Sequence, residues 1–344
     1  MKAGLDLLKD SIDCFSFYRS SLNSQMRAAY DNIREAVLNY NDSVKIHGLS
    51  LEQIQIVYEI LRRDCPWMFY VDKLSYEKYL LSNTALVKPV YRIDRATTNA
   101  HLTSILSRME PMLTSWSRLN LKEAEKQVHD FFSRNIKYDK TPTIWSFECL
   151  GPLLYNTGVC EGISRAVKYI FDLLHIPTIV VHGRVRNQNV NPQMPFSNID
   201  GHTWNLVMID QYYYHLDMTF DISIQSNSVI RYDYFNLSDD EISVDHELPS
   251  GLQLPKCTRK SRYYKSLGMY MDKPKDFYVY ISNCLVNRMS DIVFQVPYTK
   301  EFEKVKNNVL SLIKKCLSEK LSKVVMYHLY FNPSRCVFHL CIHY

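Results

Sequence analysis

Hydrophobic and polar positions alternate along this chain with three different rhythms. From Ser11 to Leu38, apolar residues recur at helical spacing (Ile12, Phe15, Leu22, Met26, Ile33, Val37), and Ser50 is placed to cap a second helix through Leu51, Ile54, Val57, Tyr58 and Leu61. Cys65-Pro66 ends that helix, because a proline disfavours a helical residue before it. Phe69-Tyr70-Val71, Leu86-Val87 and Val90-Tyr91 have the makings of short strands. Residues 1–115 therefore read as a mainly helical region, acting as scaffold or partner-binding surface.

The pattern sharpens from Asn120. With Glu123 three residues on, it has the form of a capping box, and the helix it opens runs through Ala124, Val128, Phe131, Phe132 and Ile136. After an irregular stretch past Pro142, a helix begins at about Cys160, with Ile163, Val167, Ile170 and Leu174 on one face. His175-Ile176-Pro177 closes it. Thr178–Gly183 is a β-branched run typical of a strand, Asn187–Pro195 a polar loop, and two further strands follow.

Beyond Asp221 the chain is rich in aromatic and acidic residues. Residues 251–274 read as a basic linker. Residues 275–344 predict a compact unit of order β-β-α-β-β, with strands near 276–282, 291–297, 323–331 and 335–343 and a helix over 299–320. The final pair flanks the turn signal Asn332-Pro333-Ser334.

Composition narrows the class. The 344 residues, 46% hydrophobic and 22% charged, suit a globular protein of several domains. No apolar run is long enough to span a membrane, and the first residues lack a secretory signal, so a cytoplasmic home without membrane association is expected. A net charge of +5 is too small and diffuse to imply nucleic acid. One basic cluster (Lys256, Arg259, Lys260, Arg262, Lys265) reads as a solvated surface. The nine cysteines are scattered, with no zinc-site spacing, which favours buried thiols over disulfides and implies neither a metal nor a cofactor.

Cys160 stands apart by position. A helix N-terminus, with its unpaired N–H groups, stabilises a thiolate, and the cysteine's own N–H could serve an oxyanion. Gly162 in the first turn leaves room beside it, and five of the nine glycines fall between positions 151 and 201. The next two strands supply His202 and Asp217. If 202–209 and 212–219 form a hairpin around Asp210-Gln211, opposed positions sum to 421, and His202, Trp204 and Asp217 share one face. An aspartate–imidazole hydrogen bond would orient the ring. Alternatives stay open at this point: Asp217 as a cap for the following turn, Asp221 as a rival acid, or a metal held by Cys160, His202 and Asp217. Each residue alone is also an ordinary structural residue.

Three ordered blocks here resemble the transglutaminase-like superfamily, which has a papain-like core. They are Gly158-Val159-Cys160-Glu161-Gly162, His202-Thr203-Trp204-Asn205-Leu206-Val207, and Tyr214 through Asp221. Phe131–Asp139 is similar to the helix end preceding the core in bacterial members. Departures are Ile163-Ser164 after the cysteine motif and Asp210-Gln211 at the turn, neither of which touches the three residues.

The resemblance runs from about Glu125 to Asp221 and implies a core in which the nucleophile helix packs on an antiparallel sheet. Together with the pattern read above, the expectation is an α+β fold: a helical N-terminal region (1–115), a catalytic core (116–250) and, after the linker, a small C-terminal unit. The resemblance also implies Cys160 as nucleophile, His202 as general base then acid, and Asp217 as orienter. The activity would be that of a cysteine-dependent amide hydrolase (a peptidase or amidohydrolase) or transamidase working through a thioester on a protein or peptide substrate. Tyr155 and Trp204 are candidates for a second oxyanion donor. The alternative is a catalytically silent binding module on the same fold.

Overall fold

The computed structural model describes residues 15–78, 83–186, 201–225, 229–251, 253–260, 263–321 and 326–344. The chain folds as α+β. Its N-terminal part packs helices α1 (Ser24–Asn39), α2 (Leu51–Asp64) and α3 (Arg95–Trp116) around a three-stranded antiparallel sheet of β1 (Val44–His47), β2 (Val71–Lys78) and β3 (Thr84–Tyr91), in the order β1-β3-β2. The sequence explains the boundaries. The Asn23 side chain accepts the Met26 N–H and so starts α1 later than periodicity alone suggests. Ser50 and Gln53 form a reciprocal capping box at α2, which ends before Cys65-Pro66. The expected helical residues 11–14 lie outside the described residues.

Helix α4 (Leu121–Asn135) is opened by Asn120, whose side chain accepts the Glu123 N–H at 3.0 Å. Helix α5 (Cys160–Leu173) is buried on every side from Gly162 to Asp172, as expected of a helix at the centre of a domain. It packs on an antiparallel sheet built from β4 (Thr178–Val185), β5 (His202–Ile209), β6 (Tyr212–Leu216), β7 (Phe235–Leu237) and β8 (His246–Glu247), ordered β8-β4-β5-β6-β7. The expected loop 187–195 lies outside the described residues. One apolar core runs without interruption from Leu22 through α1, α2, α5 and the sheet to Phe235.

The C-terminal part has its own core, from Met271 to Ile342. Its order corrects the expectation: α7 (Pro274–Val286), β9 (Asp291–Gln295), α8 (Phe302–Lys320), β10 (Met326–Asn332) and β11 (Val337–His343). The predicted strand at 276–282 is helical. Phe277, Ile281, Cys284 and Leu285 bury one helical face, Pro274 sits in the first turn, and Asp276 accepts the Lys273 N–H at 3.2 Å. The aromatic and β-branched residues between them resemble a strand only when these end signals are ignored.

The connecting segment is packed rather than free. Cys257 is buried, its carbonyl accepts the Asp239 N–H, and the Arg259 guanidinium stacks 3.5 Å over the Tyr212 ring. Among the described residues, no helix is long and apolar enough to cross a membrane.

Candidate active site

The segment before α5 prepares its N-terminus. The Ser146 carbonyl accepts the Val159 N–H at 2.9 Å. A Cβ on Gly162 would lie 2.2 Å from that same oxygen and 3.0 Å from the Glu148 carbonyl. Glycine at 162 thus admits the protein's own backbone, a different reason from the space for substrate expected from sequence. Val159 occupies the cap position and offers no side-chain acceptor. The first N–H groups of α5, that of Cys160 included, therefore lack both a cap and an intrahelical partner. Cys160 is partly exposed, whereas the other described cysteines are buried.

The helix is pinned to β5 by two buried hydrogen bonds. Ser164 Oγ donates to the Thr203 carbonyl at 2.9 Å, and Asn205 Nδ2 donates to the Ser164 carbonyl at 3.0 Å. Both involve residues within three or four positions of Cys160 and His202, so they set the separation of thiol and imidazole. Below them the Glu148 carboxylate joins three arginines: Arg62 of α2 (2.7 Å), Arg92 after β3 (2.7 Å) and Arg165 of α5 (2.8 Å). Arg165 also holds Glu161 at 2.6 Å.

The hairpin has the expected register. Asn205 opposes Leu216 and Ile209 opposes Tyr212, with Asp210 and Gln211 both at positive φ in the two-residue turn. Strand β6 stops at Leu216, and Asp217 caps helix α6 (Met218–Ser223). The two roles weighed for Asp217 prove compatible. Its Oδ1 accepts the Phe220 N–H at 3.1 Å, and its Oδ2 lies 2.6 Å from His202 Nε2. With Nε2 committed to Asp217, Nδ1 of His202 is left for the Cys160 side chain, whose interaction with the ring favours the protonated imidazole.

The electrostatics follow from this geometry. Burial alone would depress the His202 pKa, but the Asp217 charge and hydrogen bond, reinforced by Cys160, raise it to about 10. Burial likewise opposes ionisation of Asp217, yet His202 and His246 together hold it below the usual carboxylate range.

The remaining candidates sort themselves by their partners. Asp221 accepts from the Tyr234 N–H and contacts His129 Nε2 at 3.0 Å, so it belongs to a separate network. The Trp204 ring lies along that of His202, but its indole N–H donates to His215 Nδ1 at 3.0 Å and cannot serve an oxyanion as placed. Tyr155 is half exposed, in the segment before Cys160.

Sequence reasoning missed His246. Its Nε2 lies 2.9 Å from the same Asp217 Oδ2, and its Nδ1 lies 2.7 Å from Asp245 Oδ1. A two-residue strand carries no periodicity, so only the neighbouring Asp245-His246 pair could have flagged it.

His202, Asp217 and His246 form a cluster with metal-ligand atoms close together. Their contacts of 2.6 and 2.9 Å are hydrogen-bond lengths; ligands around a tetrahedral ion at ~2.0 Å stand ~3.3 Å apart. A second cluster, His215, Asp239 and Cys257, fits a metal no better. Because Trp204 donates to Nδ1 of His215, the proton sits on Nε2, which faces Asp239 at 3.0 Å as a donor and not as a ligand.

Residues 112–218, a span that includes Cys160, His202 and Asp217, match the model of the Transglutaminase-like superfamily. The core is transglutaminase-like. No curated protein matches the chain. Among solved structures it is similar to a Cytophaga hutchinsonii protein provisionally described as a cysteine protease, at 12% identity and a TM-score of 0.28, over 43% of this chain and 61% of that one. It is also similar to a TGase, at 14% identity and a TM-score of 0.32, over 68% of this chain and 66% of that one. The chain thus spans less than two thirds of either.

Proposed function

We propose that the protein is a cysteine-dependent acyl transferase acting on amide bonds of a protein or peptide, with water or an amine as acceptor. The reading rests on one arrangement: a partly exposed thiol at an uncapped helix N-terminus, acting electrostatically on an imidazole whose far nitrogen is held by a buried carboxylate. The Cys160 thiolate attacks the amide carbonyl, and the oxyanion is met by the Cys160 backbone N–H. His202 Nδ1 then protonates the departing amine, leaving a thioester on Cys160. The acceptor gives its proton to the same nitrogen as it attacks the thioester, and collapse releases the free thiol. Asp217 remains ionised throughout and keeps the ring oriented. Phe147 and Tyr155, both exposed in the segment leading to Cys160, offer apolar contact to a peptide beside the nucleophile.

The test is brief alkylation of the native protein with iodoacetamide at pH 6, followed by mapping of the modified cysteines. Selective labelling of Cys160, abolished in H202A, supports the proposal. An inert Cys160, labelled no faster than the buried thiols, would instead make the chain a binding module that has kept the fold.

A further inference from the structure

The carboxylate behind His202 has a second imidazole on it. His246 Nε2 meets Asp217 Oδ2 at 2.9 Å, on the oxygen that His202 contacts at 2.6 Å, and Asp245 Oδ1 meets the other His246 nitrogen at 2.7 Å. Asp217, His246 and Asp245 are all fully buried. Asp245 is itself held from two sides: Tyr234 donates to its Oδ2 at 2.6 Å, and the Arg335 guanidinium, from the turn between β10 and β11, lies 3.5 Å from its Oδ1. The file from the thiol therefore runs Cys160, His202, Asp217, His246, Asp245, Arg335. The start of α5, strands β5 and β8, the cap of α6 and the C-terminal part each contribute to it.

An ionised carboxylate cannot donate, so the Nε2 that faces Asp217 supplies an N–H to it. The ring then fastens the outer face of Asp217 Oδ2. Without it, that oxygen would keep only His202, and the carboxylate could turn about its side-chain bonds toward the helix cap. Gly183 makes the approach possible: a Cβ there would lie 2.4 Å from the Glu247 carbonyl and 2.4 Å from the Trp204 ring, so any larger residue would push β8 away. Phe220, Tyr234 and Trp204 pack around the His246 ring and exclude water from it.

We propose that His246, braced by Asp245, is a positioning residue for the reaction: its Nε2–H locks the Asp217 carboxylate in the orientation that holds His202 against Cys160. This extends the acyl-transfer reading of the same site and depends on it. The groups facing His246 are His202 from β5, Asp217 from the cap of α6, Asp245 immediately before β8 and, through Asp245, Arg335.

The experiment measures Cys160 alkylation by iodoacetamide at pH 6 and pH 9 in the full chain, for the wild type, H246L, H246Q, D245N and H202A. At pH 9 the thiol ionises with little help, so that arm reports access; at pH 6 it needs the oriented imidazole. H246L is expected to label at least tenfold more slowly than the wild type at pH 6 and within about twofold at pH 9. H246Q keeps an N–H donor toward Asp217 and should recover most of the pH 6 rate. D245N, which keeps the ring, should fall between them and stands in if H246L does not fold. Equal loss at both pH values, equal rates in H246L and H246Q, or wild-type labelling of H246L at pH 6 each overturns the proposal. A wild type whose Cys160 does not respond to H202A overturns the acyl-transfer reading itself, a result separable from the others.

Discussion

Replacing Asp217 with asparagine removes one charge and almost no volume, and the structure gives the consequence in numbers. Three donors converge on the carboxylate: the Phe220 N–H, His202 Nε2 and His246 Nε2. An amide offers one oxygen and turns an NH2 toward at least one of those donors, leaving a buried group unmatched. The expected cost is about 1–3 kcal/mol of stability. The larger effect falls on Cys160. In the wild type the Asp217 charge keeps His202 protonated up to about pH 10, so an imidazolium faces the thiol throughout the neutral range. In D217N, burial is the dominant influence on the ring and drives it neutral.

An ordinary thiol with a pKa near 8.5 is only about 0.3% ionised at pH 6, so losing the imidazolium removes at most roughly 300-fold of reactive thiolate. The higher intrinsic nucleophilicity of a more basic thiolate offsets most of this, leaving an expected fall of about 10- to 20-fold. The assay is the iodoacetamide rate at Cys160 from pH 5 to pH 10: the deficit of D217N against the wild type should be largest at the acid end and lost at the alkaline end, where His202 of the wild type gives up its proton. A D217N rate at pH 6 within threefold of the wild type would refute the ion-pair argument. The sign for stability runs in parallel. A histidine whose pKa is raised on folding contributes stability that is fully present below its unfolded value near 6.5 and lost as pH rises through about 10. Denaturant unfolding should therefore show the wild type losing its advantage over D217N across that window.

Three further substitutions probe what surrounds the site. G162A forces a Cβ to 2.2 Å from the Ser146 carbonyl and should cost about 1–3 kcal/mol or more in urea unfolding, with slower Cys160 labelling as the helix start shifts. E148A strands the buried Arg165 guanidinium and unties Arg62 and Arg92, for an expected loss of about 3–5 kcal/mol; an unchanged melting temperature would show that the arginines find other partners. Q211G relieves a left-handed residue in the β5–β6 turn (φ 69°) and should stabilise the chain by about 0.5–1 kcal/mol without altering alkylation kinetics.

What the sequence made legible was whatever period and punctuation encode. The hairpin register followed from parity, and helix α5 from its apolar spacing and the terminator His175-Ile176-Pro177. The segment 276–282 misled because Phe-Tyr-Val-Tyr-Ile satisfies a strand pattern locally. The helix is marked by its end signals, Pro274 and Asp276, and β9 and α8 cover the face that carries Phe277, Ile281 and Leu285. His246 and the Glu148 cluster were illegible for another reason. Asp217 lies 29 residues from His246, and the arginines lie 86, 56 and 17 residues from Glu148. Long-range polar pairing of this kind leaves no periodic trace.

The unbroken core from Leu22 to Phe235 reaches well outside residues 112–218. Trimmed to that span, the chain would lose the part of this core that α1 and α2 supply, and would strip Glu148 of two of its three arginines. Such a fragment should aggregate when expressed. The heritable unit of this enzyme-like site is thus larger than its recognisable signature, and changes in α2 should be felt at Cys160 as readily as changes beside it.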